Sequence, residues 1–158
     1  MDIDQDSAGV KFPPPLAFAG TLIAGLVIDR FMWWHLEIPL GHWLERSLGW
    51  IGIVAGFGIM MTAFGLFKRA GTDPKPWKTP TAFVTDGVYR WTRNPMYLGM
   101  ALIYAGIAIL CDSLITLLLL APLVLYIQRE VIEREEAYLA VKFGEPYRAY
   151  KAGTRRWF

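Results

Sequence analysis

The 158 residues include one cysteine, Cys111, and two histidines, His35 and His42. A single thiol permits no internal disulfide and no cysteine-built metal site. The histidines lie in a mixed polar and apolar stretch without a nearby cysteine or paired carboxylates, so the expectation is no metal, with both rings at the headgroup level of a membrane. Charge is scarce as well: 19% of residues are charged and the net charge is +2. With so little positive excess and no basic groove interleaved with aromatics, nucleic acid is not an expected partner. There is no Gly-x-Gly-x-x-Gly run to cradle a dinucleotide. The first residues, 1–7, are acidic and polar where a secretory signal would begin basic, so the first apolar run is expected to stay in the mature chain.

What the sequence has in quantity is apolar surface. It is 54% hydrophobic with a mean hydropathy of +0.33, above an ordinary soluble domain, and its apolar runs are long enough to cross a bilayer. The expected architecture is an all-α integral membrane protein forming a single domain over residues 1–158. It has about four transmembrane helices, the last extended into the cytoplasm, plus a short interfacial helix.

A polar tail, residues 1–15, ends in Pro13-Pro14-Pro15 and leads into a first span over residues 16–34. Asp29 and Arg30 are placed to snorkel near its far end, and Trp33-Trp34 anchors it. Residues 36–46 mix Leu36, Ile38, Leu40, Trp43 and Leu44 with Glu37, His42, Glu45 and Arg46, the pattern of an amphipathic piece lying in the interface. Residues 47–67 form the second span, where Gly52 and Gly56 make a small-xxx-small pair suited to close approach by another helix, one of the same chain in preference to a dimer partner.

Residues 70–94 form a loop with Pro74, Pro76 and Pro80. Its aromatics, Trp77, Phe83, Tyr89 and Trp91, argue for an ordered loop on the membrane face. The third span is 95–110, residues 111–113 turn, and the fourth span is 114–127. No stop signal follows, so that helix is expected to run on as a polar extension until Gly144 and Pro146 break it.

Lys68, Arg69, Lys75, Lys78, Arg90 and Arg93 fall between spans two and three, and Lys142, Arg148, Lys151, Arg155 and Arg156 follow span four. The positive-inside rule then puts both termini, the loop and the extension (128–158) in the cytoplasm. Two regions that share one face can build one site.

Two clusters are candidates for it. Residues 85–99 place Arg93 and Asn94 at the doorway of an apolar helix begun by Pro95. Polar groups are expensive there and mark a functional site, unless they are an ordinary interfacial belt. The second cluster holds Arg129, Glu130, Glu133, Arg134, Glu135, Glu136, Tyr138, Phe143, Tyr147 and Tyr150. Its bland alternative is a solvated helix laced with ion pairs. Glu130 and Arg134 have the favourable i,i+4 order, and Glu135 and Glu136, being adjacent, point to different faces.

Gly87-Val88-Tyr89-Arg90 followed by Arg93-Asn94-Pro95-Met96-Tyr97-Leu98-Gly99 resembles the signature of the isoprenylcysteine carboxyl methyltransferase family. That family has bacterial and archaeal relatives, which include phospholipid N-methyltransferases. Glu135-Glu136, Leu139, Phe143-Gly144, Tyr147 and Tyr150 are similar to its second signature, in order and spacing. Val88 stands where proline is common, and Asn94 where the eukaryotic enzymes have histidine.

The resemblance implies a membrane methyltransferase using S-adenosyl-L-methionine, with S-adenosyl-L-homocysteine as product and an apolar or lipid-like acceptor in the bilayer. It implies catalytic roles for Arg93 and for Glu135 or Glu136. Its cofactor contacts would come from Tyr89, Arg90, Asn94, Pro95, Tyr97, Leu98, Glu133, Glu136, Tyr147 and Tyr150. Tyrosine faces suit a sulfonium cation, and a glutamate serves as base if the acceptor must lose a proton. Two other readings remain at this point: a sterol-reductase-like oxidoreductase using NADPH, and a membrane scaffold without catalysis.

Overall fold

The computed structural model describes residues 12–32, 36–71 and 82–158. The expectations resting on residues 1–11, on Trp33, Trp34 and His35, and on Thr72 through Pro80 with its prolines and lysines lie outside the described residues.

Among the described residues six helices follow in order: α1 (Pro14–Phe31), α2 (His42–Arg69), α3 (Pro95–Leu110), α4 (Leu114–Ile127), α5 (Glu133–Phe143) and α6 (Glu145–Gly153). A one-turn 3-10 segment, Gly87–Arg90, precedes α3, and a π turn, Gln128–Ile132, joins α4 to α5 without a break. Three helical stretches among the described residues are long and apolar enough to cross a membrane: Pro14–Phe31, His42–Arg69 and Leu114–Phe143. A fourth apolar helix, Pro95–Leu110, is shorter. The apolar part of the third stretch is α4, and the charge begins at the π turn. Among the described residues, extended structure is confined to one bridge between Thr92 and Arg155.

The helix ends follow from local chemistry. Pro14 and Pro95 occupy first-turn positions, where the missing N–H leaves nothing unpaired. Ser113 caps α4 by accepting from the Thr116 amide. Gly144 ends α5 at φ 59°, ψ −133°, a conformation essentially reserved for glycine, and Pro146 then sits in the first turn of α6.

The expected interfacial helix over residues 36–46 is not a separate element. Pro39 and Gly41 punctuate its first half, and the Ile38 amide donates to the Asp112 carboxylate at 2.8 Å. The Leu114 amide reaches the Leu36 carbonyl at 3.2 Å, so residues 36–41 are fastened to the α3–α4 turn. His42 onward belongs to the first turns of α2.

α3 is the central element, packed against α2, α4 and α1. The α2 seam is made of glycine. A Cβ on Gly56 would stand 2.5 Å from the Gly99 carbonyl oxygen, and one on Gly106 would stand 2.6 Å from the Gly49 carbonyl oxygen. Gly52 faces Leu102 and Gly106 across the same seam, so the small-residue pair serves packing within the chain. Phe18, Tyr97, Tyr104, Leu123, Ile127, Val131 and Ile132 form the core on the other side of α3, with Trp157 packed against it.

Candidate active site

The site forms where the segment before α3 meets α5, α6 and the residues after α6. The residue before a proline avoids helical backbone, and Asn94 accordingly leaves it, at φ −127° and ψ 52°. That bend turns Arg93 inward, leaving its side chain 10% exposed. The 3-10 turn drops Tyr89 into the interior, edge-on to Phe67 at 5.6 Å.

The extra residue of a π turn rotates the helix beyond it by about 100°. Past that turn, Glu136 lies toward Arg93 and Glu135 toward α3. Glu136 is 4% exposed, and its carboxylate receives three cations. Arg93 donates to its Oε1 from Nη2 at 3.0 Å and from Nε at 3.3 Å. Arg156 grips both oxygens, Nε to Oε1 at 3.1 Å and Nη2 to Oε2 at 2.9 Å. Lys151 Nζ stands 2.9 Å from Oε2. Burial opposes ionisation of Glu136, but the hydrogen bonds from Arg156 and Lys151 and the Arg93 charge hold its pKa at about 2. The remaining Arg93 nitrogen, Nη1, donates to the carbonyl of Lys151 at 2.6 Å and to that of Thr154.

Glu135 has the opposite environment. Its partner is the Tyr97 hydroxyl, which donates to Oε1 at 2.7 Å. Burial pushes its pKa up to about 7, with the Glu136 charge adding to the effect and the Tyr97 hydrogen bond opposing it. Two adjacent carboxyls are thus split, one held ionised and one poised near neutrality.

An aromatic wall flanks the pair. Phe83 lies 5.7 Å from Tyr147, 6.1 Å from Tyr150 and 5.0 Å from Phe143. Tyr150 donates to the Tyr89 carbonyl at 2.7 Å. Burial raises the pKa of Tyr150 to about 12 and shifts Tyr147 upward too, so both stay protonated.

The residues singled out in the sequence divide as follows. Arg93, Asn94, Tyr97, Glu135, Glu136, Tyr89, Tyr147 and Tyr150 converge here. Asn94 is buried and donates to the Arg156 carbonyl at 3.0 Å. Pro95 and Leu98 serve the start of α3, and Glu133 sits at the rim, 3.3 Å from Arg156. Arg90 does not join the cluster; it is exposed and pairs with Asp86 at 3.2 Å. Glu130 and Arg134 form an i,i+4 pair at 2.6 Å, outside the Glu136 network.

Sequence reasoning missed Thr92, Thr154, Lys151, Arg156 and Trp157 as parts of the site. The Thr92 hydroxyl donates to the Arg156 carbonyl at 3.0 Å, and the Trp157 indole donates to Gln128 at 2.9 Å. Lys151 and Arg156 read in sequence only as positive charge; the sole further signal was a tryptophan directly after two arginines.

A sequence model of the family described as phospholipid methyltransferase matches residues 44–146, more than half of the chain. A protein-S-isoprenylcysteine O-methyltransferase of Schizosaccharomyces pombe is 34% identical over 68 residues, which is 43% of this chain and 29% of that enzyme. An uncharacterized protein of Haemophilus influenzae is 39% identical over 62 residues, 39% of this chain and 98% of that one. The chain therefore spans less than a third of the yeast enzyme. No solved structure gives a significant match. With both signatures inside or beside the matched stretch and brought together in space, the chain belongs to the phospholipid methyltransferase family, a family of membrane methyltransferases.

Proposed function

We propose that this protein is an integral membrane enzyme that transfers a methyl group from S-adenosyl-L-methionine to an apolar or lipid-like acceptor, releasing S-adenosyl-L-homocysteine. One observation carries this reading: Arg93, from the segment before α3, and Glu136, from α5, form a buried ion pair at 3.0 Å, so two sequence-distant clusters build one site. α1 through α4 serve as four spans in this reading, with the site and both termini on the cytoplasmic face, as the basic residues favour.

The donor set suits an S-adenosyl nucleoside. Phe83, Tyr147 and Tyr150 offer aromatic faces for an adenine ring or a sulfonium. Glu133 and Lys151 stand half-exposed at the rim, with charges of the signs that an ammonium and a carboxylate require. When bound, the cofactor supplies a methyl group already activated on sulfur, so positioning and exclusion of water are the protein's tasks.

The side chains then divide the work. Arg93 has every guanidinium nitrogen engaged by Glu136 or by the Lys151 and Thr154 carbonyls. It fixes the shape of the site and has no free edge for an anionic acceptor. Glu135, near neutrality and held by Tyr97, is the group suited to take a proton from the nucleophile. An acceptor that must lose a proton, an amine or a thiol on an apolar carrier, is therefore favoured over a carboxylate.

Radiolabelled methyl donor presented to the protein in nanodiscs with lipid amines, lipid thiols and prenylated cysteine tests this. Label should pass to an amine or thiol acceptor. Absence of transfer to every acceptor, together with no calorimetric binding of S-adenosylhomocysteine at millimolar concentration, would contradict it.

A further inference from the structure

The segment after α6 lies outside the family-matched residues 44–146, yet its backbone and side chains bond both to the segment before α3 and to α5. Its carbonyls take the donors of the segment before α3: Arg93 N–H to Arg155 at 2.9 Å, and Thr92 Oγ1 and Asn94 Nδ2 to Arg156 at 3.0 Å each. In the other direction, the Arg156 side chain holds Glu136 through two bonds and Glu133 through a third at 3.3 Å. The indole of Trp157 closes the arrangement on Gln128 of the π turn. Arg156 thus binds the segment before α3 through its backbone and α5 through its side chain; Lys151 joins the same two elements, its carbonyl to Arg93 Nη1 and its ammonium to one Glu136 oxygen, whereas Arg156 reaches both Glu136 oxygens and Glu133.

We propose that Arg156 is a positioning residue: it clasps the segment before α3 to α5 and so fixes the orientation of Arg93 and Glu136 for the reaction. The functional half of this proposal rests on the methyltransferase reading; the clasp itself does not. A guanidinium is required, because a planar fork can meet both Glu136 oxygens and Glu133 together, whereas an ammonium presents a single point of charge. Lys151 already supplies that single point, at 2.9 Å from Oε2.

The test compares Arg156→Ala and Arg156→Lys with Arg148→Ala, which removes an exposed cation paired with Glu145 on α6. Thermal unfolding in detergent selects conditions in which each variant is folded. Hydrogen exchange reads the clasp directly, since the Arg93 amide is protected by the Arg155 carbonyl only while the segment is seated. Exchange at Arg93 should quicken at least tenfold in Arg156→Ala and stay at the wild-type rate in Arg148→Ala. For methyl transfer, Arg156→Ala should lower kcat at least tenfold with KM for the methyl donor changed less than threefold. Methylguanidinium in solution should restore part of that loss, and Arg156→Lys should restore little.

Unchanged exchange at Arg93 in Arg156→Ala overturns the clasp, whatever the activity. Quickened exchange with wild-type kcat, or a kcat loss that methylguanidinium leaves untouched, overturns the positioning role. A wild-type protein that transfers no methyl group to any acceptor, while Arg93 exchange responds as expected, counts against the methyltransferase reading and not against the clasp.

Discussion

At the turn between α3 and α4, buried polar groups meet neutral partners. The Ser113 and Thr116 hydroxyls lie 2.6 Å apart, and the Tyr104 hydroxyl donates to the Thr116 carbonyl at 2.9 Å. The Asp112 carboxylate, bonded to the Ile38 amide, brings a charge to this turn as well. At the opposite end of α3, the buried groups are charged and their partners lie far away in sequence, 43 residues for Arg93 and Glu136. A polar group capped by a neighbour ends a helix and needs nothing more. A buried charge that meets three opposite charges from separate elements is stable only when all of them arrive together. The first end closes a turn, and the second ties together the segment before α3, α5, α6 and the residues after α6.

Glu136→Ala should break this contrast most severely. It leaves Arg93, Arg156 and Lys151 without their shared carboxylate. Losing one partner of a buried pair costs about 3–5 kcal/mol, to be read from denaturant unfolding in detergent, and methyl transfer should vanish. Glu135→Gln comes next and separates chemistry from folding. Loss of the proposed general base lowers rates by about 10²–10⁴-fold, while stability should not fall, since the amide keeps the Tyr97 hydrogen bond and removes a buried carboxylate that opposes folding near neutral pH. In the wild type, kcat/KM should rise with pH through about 7 as Glu135 ionises, and this limb should be absent from the variant.

Gly56→Val follows in size. Its side chain would press on the Gly99 carbonyl, and overpacking of this kind costs about 1–3 kcal/mol, visible as a lower unfolding midpoint. Ser113→Ala, at the quiet end, should cost about 1 kcal/mol as a lost cap with methyl transfer unchanged.

The two ends should also part in acid. Glu136 has a lowered folded pKa, so its contribution to stability is complete above the unfolded carboxylate value of 4.5 and is lost as pH falls toward about 2. Glu135 has a raised folded pKa and therefore opposes folding progressively as pH climbs from 4.5 through about 7. Unfolding measured from pH 3 to 8 should show both limbs in the wild type, the upper one missing from Glu135→Gln.

Much of the fold was legible because its signals are local. Pro95 and Asp112 bound α3, the apolar run 114–127 is α4, and Gly144 breaks the helix beyond it. Gly52 and Gly56 marked the α2–α3 seam because only small residues allow such approach. The π turn carries no simple periodic signature, so the sequence left open which glutamate faces which neighbour. Arg156 and Lys151 were illegible for another reason: a cation in a polar stretch looks the same whether it meets water or a buried carboxylate twenty residues back. Only tertiary closure decides that.

A double-mutant cycle on S-adenosylhomocysteine binding probes the junction most directly, with calorimetry on wild type, Arg93→Ala, Glu136→Ala and the double variant in detergent. If the segment before α3 and α5 enclose one ligand through this pair, each single change should weaken binding at least tenfold, and the double change should weaken it little more than either alone. Wild-type affinity in both single variants, or losses that simply add, would contradict a shared site.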